Sequence, residues 1–566
     1  MASLSTGVRY DTSKALDYPS LPRTYESALK LLSLLPTNRD VTSLFEMPRP
    51  KSERGEIMDW NSMAIPEVIA WMARAGYGDL PRDLAPLRCI HVAGTKGKGS
   101  VSAFATAILV EEVAAGNETV GRVGTYLSPH VVSVRERIWL DGRPISRGLF
   151  TKYVFELWAR LSEAAAAADP AEQDPYGAHT KPFYFRFLTL LAFHVFLREG
   201  VHSAVIECGI GGEYDATNVL PASSVTAAVV TRLGIDHVAM LGRTLSQIAW
   251  HKAGIFKPGV AAIALQPDSS GGGEKDNAQT PPGESLQDHE EAFHIVCTRA
   301  FKKSVSALYE LSPQAVRHWG GVPDAALMGA FQKYNMALAA VAVDYHIRFL
   351  CASDGASPDM DSHPFDLTLL PETFTRGLAK ATLRGRCESI LDESSPTGST
   401  IGYLVDGAHT ADSLGEIARY FVAQPEAETS SHRVLLFTVR DREPGDLVRA
   451  LVAGIEAGID AGRGGQTRTT KADGYFNHAV FVFPPEAEAA RKNALVAMQQ
   501  ACPATKACVC DSVPAAIRLI RSLHNLSQES GAGAVSDEPW TCQVLATGSF
   551  VLVREVLKEL DAEYEE

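Results

Sequence analysis

Hydrophobic residues recur at helical spacing in two segments near the start of the chain. In residues 24–35 and 65–75 the apolar side chains fall three or four positions apart, which predicts two amphipathic helices. Further along, residues 204–208 and 225–231 are nearly continuous apolar runs. Such runs are typical of strands that are covered on both faces of a parallel sheet, so the first half of the chain combines helices with buried strands.

A glycine-rich turn separates another predicted strand from a helix. The strand is predicted at residues 89–93 and the helix from Val101 to about Val110, and an aromatic-rich buried helix is predicted at residues 181–197. Helices and strands that alternate in this way indicate a doubly wound α/β domain.

The second half of the chain repeats this alternation on a smaller scale. Four short apolar runs predict buried strands there, at residues 401–405, 434–437, 480–483 and 544–546. The polar stretch 351–364 predicts a linker, so we expect two domains, residues 1–365 and residues 366–566. Residues 268–291 are rich in glycine, proline and charge and are predicted to form a disordered insertion.

The composition is that of a folded, acidic protein. The chain has 566 residues, which at about 150 residues per domain is long enough for two to four domains. Lys and Arg number 53 against 67 Asp and Glu, and the net charge of −14 argues against nucleic acids and anionic membranes as partners. A small anionic ligand is compatible with that charge, because backbone amides and a few cations hold it locally.

Cysteine usage and the N-terminus bear on where the protein works. The nine cysteines are scattered and form no CxxC pair, which predicts a reducing compartment with neither disulfides nor a zinc site. No apolar run approaches the roughly 18–20 residues that span a bilayer, and the N-terminus has no signal-peptide core. We therefore expect a cytoplasmic protein without an integral membrane segment. The first ten residues carry Arg9 and no acid, which leaves a mitochondrial location as an alternative.

The strongest chemical signal is the segment HVAGTKGKGS, between the strand at residues 89–93 and its helix. Gly94, Gly97 and Gly99 let backbone amides approach an anion, and the helix N-terminus adds its dipole. Lys98 adds a positive charge, and the next serine offers a hydroxyl to Mg²⁺. A glycine separates the lysine from that serine, so the spacing departs from the strict P-loop pattern, and a flexible turn is the alternative. We predict a phosphate-binding loop.

Two further predicted strands end in residues of the kinds that bind metal ions. Glu207 follows one apolar run and His237 follows the next, and the carboxyl ends of parallel strands meet at one edge of a sheet. With Ser100 they offer a hydroxyl, a carboxylate and an imidazole to Mg²⁺. The alternatives are a Glu207 already exposed at its strand end and a His237 that only makes hydrogen bonds within the fold.

Four other residues carry weaker signals. Lys252 lies in a largely apolar segment, where a surface lysine whose ammonium reaches solvent is the simpler interpretation. Asp406 and His409 follow the apolar run at residues 401–405 and again put an acid and an imidazole at a strand end. Arg386 supplies a guanidinium suited to phosphate. Together these residues describe a site that two domains line.

The order of these motifs resembles that of one known family. Folylpolyglutamate synthases, ATP-dependent ligases related to the Mur cell-wall ligases, have similar segments: TYESALKLLSLLPTNRDV, HVAGTKGKGSVSAF, ECGIGGEYDATN, LGIDHVAMLGRTLSQIAWHKAGIFKPG and DGAHTADS. The resemblance covers most of the chain. It implies a P-loop-containing, doubly wound α/β N-terminal domain and a smaller, Rossmann-like α/β C-terminal domain, with ATP bound between them.

The resemblance also implies an activity. Such an enzyme, a tetrahydrofolate synthase, uses ATP to add L-glutamate to the γ-carboxylate of (tetrahydro)folate and its polyglutamates through an acyl phosphate, and releases ADP and phosphate. Mg²⁺ is the implied cofactor, K⁺ is a candidate second cation, and a monomer is expected. Because folate polyglutamates are polyanions, we expect a locally basic channel. Two alternatives stay open: dihydrofolate synthase, which adds the first glutamate to dihydropteroate, and a P-loop ATPase or nucleotide-binding module that is not a ligase.

Roles for individual residues follow from the same resemblance. It implies that ATP is bound by Gly94, Thr95, Lys96, Gly97, Lys98, Gly99, Ser100, Gln332, Arg386 and Asp406. It implies that Mg²⁺ is held by Ser100, Glu207, His237 and Lys252, the last after carbamylation, which reverses the surface-lysine interpretation. It implies catalytic roles for Lys98, Lys252 and His409, glutamate binding by His409 and Ser413, and folate binding by Ser128, Pro129 and His130.

Overall fold

Two β-sheets organise the described part of the chain. The structure is a computed structural model that describes residues 18–37, 61, 63–268, 284–323, 325–327, 329, 331–352, 365–392, 400–424, 432–440, 442–462, 472–531 and 542–560. The first sheet consists of β1 (Arg88–Ala93), β2 (Arg122–Tyr126), β3 (Ile138–Leu140), β4 (Arg143–Pro144), β5 (Val201–Glu207), β6 (Val225–Val230), β7 (Ala261–Leu265) and β8 (Leu308–Leu311). The second consists of β9 (Glu388–Asp392), β10 (Ile401–Val405), β11 (His432–Phe437), β12 (His478–Val482), β13 (Lys506–Cys510) and β14 (Cys542–Thr547).

The first sheet is mostly parallel, with the strand order β4-β3-β2-β5-β1-β6-β7-β8. Only the β2–β3 and β3–β4 pairs among these strands are antiparallel. Val92 pairs with Glu207 and Ala93 pairs with Val230, so β1, β5 and β6 end at the same edge of the sheet. That edge therefore gathers the glycine-rich loop, Glu207 and the segment that leads to His237, as the sequence predicts.

The second sheet repeats this design with the order β13-β12-β11-β14-β10-β9. Its described strands are parallel except for β9, which pairs antiparallel with β10. The four apolar runs predicted as strands in the second half are β10, β11, β12 and β14. The predicted fold class, two α/β units with parallel sheets, is confirmed.

Helices lie between most of the strands. With the first sheet these are α1 (Tyr25–Ser33), α2 (Ala64–Arg74), α3 (Leu80–Asp83), α4 (Lys98–Ala114), α5 (Arg147–Ala168), α6 (Tyr184–Arg198), α7 (Val238–Leu241), α8 (Leu245–Lys252), α9 (Leu286–Lys302), α10 (Pro313–Trp319), α11 (Gln332–Cys351) and α12 (Glu372–Lys380). With the second sheet they are α13 (Ala411–Val422), α14 (Pro444–Gly462), α15 (Glu488–Ala501), α16 (Val513–Gly531) and α17 (Phe550–Leu560). None of the helices in the described residues is long and apolar enough to cross a bilayer.

The first sheet has a hydrophobic cluster on each face. On β5, Ile206 joins a cluster with the aromatic side chains of α5 and α6, such as Trp158 and Phe187. Its neighbour Val205 faces the other way and packs with residues of α4 and α11, such as Phe104. Successive residues of a strand point to opposite faces, so only a continuous apolar run serves both clusters.

The predicted disordered insertion at residues 268–291 is wrong at its C-terminal end. Residues 269–283 lie outside the described part of the chain, but residues 286–291 form the first turns of α9. Ser285 caps this helix with Asp288, and Ala292 and Val296 are buried one turn apart. A capping box followed by apolar residues four apart is a helix signal, which the polar composition of the preceding residues masked.

The division between the domains stays a proposal, and packing favours a later boundary than residue 365. Helix α12 packs against α4 so closely that a side chain at Gly377 would lie 2.6 Å from the Cα atom of Ile108. The predicted linker 351–364 lies almost wholly outside the described residues. Because α12 packs on the first sheet's helix, we propose that the N-terminal domain ends after Lys380.

Candidate active site

A cavity of about 450 Å³ lies between the two sheets. Its walls come from segments that follow β1, β5 and β6 of the first sheet and β10 and β14 of the second. Fifteen residues predicted from the sequence line it: Thr95, Lys96, Gly97, Lys98, Gly99, Ser100, Ser128, Pro129, Glu207, His237, Gln332, Arg386, Asp406, His409 and Ser413. Gly94, His130 and Lys252 are not among the lining residues.

The glycine-rich loop is fixed by backbone contacts to the segment after β6. The backbone N–H groups of Thr95 and Lys96 donate to the carbonyl of Arg232 at 3.0 and 3.2 Å. A side chain at Gly94 would collide with Thr231, so only a glycine lets the loop pack this closely against the segment after β6. Gly97 has a φ of 85°, a left-handed conformation that favours glycine, and caps the start of α4.

Helix α4 begins at Lys98, three residues before the predicted start at Val101. Lys98, Gly99 and Ser100 therefore form its first turn, where backbone N–H groups have no partner within the helix. Lys98 has no ion pair with any described residue. The amide of Gln332, at the start of α11, donates to the hydroxyl of Ser100 over 3.3 Å. This turn presents amides, an ammonium and a hydroxyl to the cavity, as a phosphate-binding loop does.

Glu207 is buried at the end of β5, so the exposed-glutamate alternative is wrong. Its side chain is 3% exposed, and the backbone N–H of Ser128 donates to Oε2 at 2.8 Å. Burial raises the pKa of Glu207, while the nearby charge of Lys98 acts in the opposite direction. Both carboxylate oxygens lie about 3.8 Å from the place a side chain at Gly99 would occupy. The carboxylate thus faces the turn that carries Ser100.

His237 also lines the cavity, but its side chain is more exposed to solvent than that of Glu207. Its backbone has a φ of 50°, and its side chain is 46% exposed with Nε2 3.9 Å from Oδ2 of Asp236. In the described part of the chain, no three or more His, Cys, Asp or Glu side chains cluster closely enough to hold a metal ion by themselves. One buried carboxylate and one hydroxyl beside a phosphate loop do fit Mg²⁺, which keeps water ligands and binds phosphate oxygens.

Lys252 is buried, so the surface-lysine interpretation is wrong. The side chain is 2% exposed, and Nζ donates to the carbonyl oxygen of Gly94 at 2.7 Å. Burial lowers the pKa of Lys252 to about 7, and the positive charge of Lys98 acts in the same direction. Lys252 therefore lies directly beneath the glycine-rich loop instead of on the cavity surface.

Three residues of the second sheet's domain occupy the opposite wall. Asp406 receives hydrogen bonds from the backbone N–H groups of Cys387 and Ala408 at 2.9 and 2.8 Å, while burial raises its pKa. The guanidinium of Arg386 stacks on the ring of Phe550, 4.5 Å from its centroid. His409 also lines this wall. The aspartate thus ties the turn after β10 to the segment that carries the arginine.

His409 is held in one orientation and one tautomer. Its Nδ1 lies 2.9 Å from the carbonyl oxygen of Gly407, and burial lowers the pKa of the imidazole. A carbonyl oxygen only accepts hydrogen bonds, so Nδ1 carries the proton and Nε2 keeps its lone pair. A neutral imidazole with a free Nε2 is suited to accept a proton.

Ser413 is engaged in the cap of α13. Its hydroxyl lies 2.7 Å from that of Thr410 and accepts the backbone N–H of Thr410 at 3.0 Å. Its role in glutamate binding stays a prediction, and its hydrogen bonds with Thr410 stabilise the start of the helix. Similarly, His130 accepts a hydrogen bond from Nε of Arg137 at 2.8 Å, and Arg137 lines the cavity in its place.

Sequence reasoning missed two arginines and the ion pairs that cross the cavity. Arg137 and Arg232 bring the lining to six basic side chains against four acidic ones, so the cavity is locally basic in an acidic protein. Lys96 pairs with Asp412, and Nη1 of Arg232 lies 2.6 Å from Oε1 of Glu416. These partners are far apart in the sequence, and no local spacing signals them.

Comparison with known proteins identifies relatives that match about three quarters or more of the chain. The folylpolyglutamate synthase of Candida albicans is 34% identical over 427 residues, which are 75% of this chain and 74% of that protein. The folylpolyglutamate synthase of Neurospora crassa is 36% identical over 471 residues, 82% and 75% of the two chains. The chain belongs to the folylpolyglutamate synthase family.

Solved structures of the folylpolyglutamate synthase family share the fold. A folylpolyglutamate synthase of Mycobacterium tuberculosis, complexed with ADP and AMPPCP, is 20% identical and has a TM-score of 0.59 over 94% of this chain and 99% of its own. No protein-family model matches the chain. At this identity the likeness shows that the two-sheet architecture is the one that folylpolyglutamate synthases use.

Proposed function

We propose that the chain is an ATP-dependent ligase that adds L-glutamate to the γ-carboxylate of tetrahydrofolate and of its polyglutamates. The observation that carries this proposal is the single cavity in which a phosphate-type loop faces His409 and Arg386 of the other domain. Family membership supports the choice of folate, glutamate and ATP as substrates. A P-loop ATPase has no need for a second wall with an oriented imidazole.

In the first step, the terminal carboxylate of the folate attacks the γ-phosphorus of ATP, and ADP leaves. A carboxylate is a poor acyl donor. In the acyl phosphate, the carbonyl carbon is electrophilic because phosphate is a good leaving group. The amides of the first turn of α4, Lys98 and Arg386 stabilise the charge on the transferring group. Asp406 keeps the segment of Arg386 in place through the backbone N–H of Cys387.

In the second step, the α-amine of glutamate attacks the acyl carbon, and phosphate leaves. The amine arrives as an ammonium and must lose a proton before it attacks. We assign His409 as the acceptor of that proton at Nε2, since Nδ1 donates to the carbonyl oxygen of Gly407. The ion pairs between the domains close the cavity around the acyl phosphate and limit its hydrolysis.

We propose that Ser100 and Glu207 hold Mg²⁺ together with ATP, with His237 close by. When bound, the ion supplies positive charge to the phosphoryl oxygens. We propose that Lys252 is carbamylated, because a buried ammonium beside Lys98 is costly and a carbamate replaces it with a negative charge that Lys98 attracts. A ¹³C NMR spectrum of the native protein in ¹³C-bicarbonate buffer tests this: the expected carbamate signal disappears in Lys252→Met, and its absence from the unaltered chain would contradict it.

The proposed function is tested by incorporation of labelled glutamate with two acceptors. We expect ATP-dependent incorporation with tetrahydrofolate. Activity with dihydropteroate alone would favour dihydrofolate synthase, and ATP hydrolysis without incorporation would favour the nucleotide-binding module. The cytoplasmic location, the monomeric state and the use of K⁺ stay predictions.

A further inference from the structure

A second pocket, of about 610 Å³, lies between α1 and α5 and has no part in the chemistry described above. Three basic residues line it: Arg23, Arg147 and Lys152. Its only acidic lining residue is Glu156, whose Oε1 lies 3.1 Å from Nη2 of Arg160, outside the lining. In a chain with a net charge of −14 this is a concentration of positive charge.

Aromatic rings form the floor of this pocket and fix its cations. The guanidinium of Arg23 stacks 4.3 Å from the ring centroid of Phe155, and that of Arg147 lies 5.3 Å from the ring of Tyr25. Both rings are buried. A guanidinium that stacks through its face keeps N–H groups in its plane, where they bind carboxylates. Among the described residues, Arg23 and Lys152 have no carboxylate in an ion pair.

One short segment separates this pocket from the candidate active site. The turn at Val134–Arg137 sends Arg137 to the cavity between the sheets and Arg135 toward Tyr25, 5.9 Å from its ring. The Tyr25 hydroxyl lies 3.2 Å from that of Ser133, which caps the turn. The pocket and the predicted folate-binding residues 128–130 are thus on either side of one segment.

The proposed reaction creates a ligand of matching chemistry. Each glutamate that is added through its amine leaves an α-carboxylate as a permanent negative charge. The carboxylate that reacts is always the terminal one, so every added residue moves the earlier α-carboxylates farther from the glycine-rich loop. A long acceptor therefore needs cations outside the active site. These cations must lie close enough to the folate side of the cavity for the glutamate tail to reach them.

We infer that the pocket between α1 and α5 binds the internal α-carboxylates of the γ-linked glutamate tail. This inference rests on the proposed function and deepens it. It assigns Arg23 and Lys152 to the selection of long acceptors over short ones. It also gives helix α1, whose first residue Tyr25 lines the pocket, a role in substrate binding.

The test compares tetrahydrofolate monoglutamate with its pentaglutamate as acceptors. In the double variant Arg23→Gln, Lys152→Gln we expect the ratio of kcat/KM for the pentaglutamate to that for the monoglutamate to fall about fivefold, as the loss of two exposed ionic contacts implies. The matched control is Lys302→Gln, Lys492→Gln, which removes two exposed lysines, one at the end of α9 and one in α15. Lys152→Arg keeps the charge and is expected to retain the ratio.

The outcomes separate this inference from the proposed function. A ratio that is the same in the double variant and in the unaltered chain would overturn the tail site. A fall of the same size in the control variant Lys302→Gln, Lys492→Gln would also overturn it, because the effect would then come from overall charge. Absence of turnover with both acceptors in the unaltered chain would instead contradict the ligase function itself.

Discussion

Lys96 of the glycine-rich loop forms an ion pair with Asp412, in the first turn of α13 on the opposite side of the cavity. One turn further along α13, Glu416 pairs with Arg232 of the segment that supports the same loop. The glycine-rich loop and the helix that follows His409 are therefore joined by two charge pairs across the cavity. We therefore expect the two lysines of the loop, Lys96 and Lys98, to have different roles.

The first prediction separates these two lysines. Lys98→Ala is expected to lower kcat by about 10²–10³, because it removes a charge that stabilises the transferring phosphoryl group. Lys96→Ala removes a partner of Asp412 and is expected to have a smaller effect. Steady-state kinetics of both variants, with circular dichroism as the check on folding, measures this. An equal or larger loss in Lys96→Ala would show that the phosphate cradle is assigned to the wrong lysine.

The second prediction concerns the ion pair between Arg232 and Glu416. We expect a double-mutant cycle with Arg232→Gln and Glu416→Gln to give a coupling free energy of about 1–3 kcal/mol in urea unfolding, since the pair is largely shielded from water. The matched control is the exposed pair Arg449 and Asp446, for which a coupling below about 0.5 kcal/mol is expected. Equal coupling free energies in the two cycles would mean that the pair across the cavity stabilises the fold no more than an exposed pair does.

The third prediction tests His409 as the proton acceptor. His409→Gln keeps a polar side chain but removes the base, so kcat is expected to fall about 10²-fold at neutral pH. The deficit is expected to shrink as the pH rises toward the pKa of the glutamate ammonium, because the amine then deprotonates in solution. The loss in Lys98→Ala has no such pH dependence. A deficit of constant size in His409→Gln would assign the imidazole to binding only.

The fourth prediction is a pH dependence of stability that arises from a buried lysine outside the cavity lining. Lys181 is buried, its ammonium donates to the carbonyl oxygen of Pro175 at 3.0 Å, and burial lowers its pKa to about 7 from 10.5. Between these values the unfolded chain binds more protons than the folded protein, so the free energy of unfolding rises with pH. We expect Lys181→Met to reduce this slope by up to about 1.4 kcal/mol per pH unit. Urea unfolding between pH 7 and pH 9 checks it; an unchanged slope would contradict it.

Local patterns in the sequence predict the strands and the loop because their causes are local. β10 has the predicted bounds, and the glycine-rich loop lies where the change from apolar run to helix places it. Family resemblance then adds roles to residues such as Gln332, whose contact with Ser100 spans more than two hundred positions. Fold and loop therefore follow from spacing and resemblance together.

Two site residues have long-range contacts that their spacing in the sequence does not reveal. Lys252 is typical of a surface lysine by its spacing, yet the fold buries it against the carbonyl of Gly94. His130 accepts a hydrogen bond from Arg137 that its motif does not indicate, and its role in folate binding stays a prediction. Burial and partner choice are set by the approach of separate segments, which periodicity within one segment does not contain.

The central claim is that one cavity joins ATP cleavage to amide formation through an acyl phosphate. The most direct measurement uses tetrahydrofolate with ¹⁸O in its γ-carboxylate, together with ATP and glutamate, and follows both products by mass spectrometry. The account predicts one ¹⁸O atom in the released phosphate for each glutamate added. Phosphate that forms without ¹⁸O, or without an added glutamate, would contradict it.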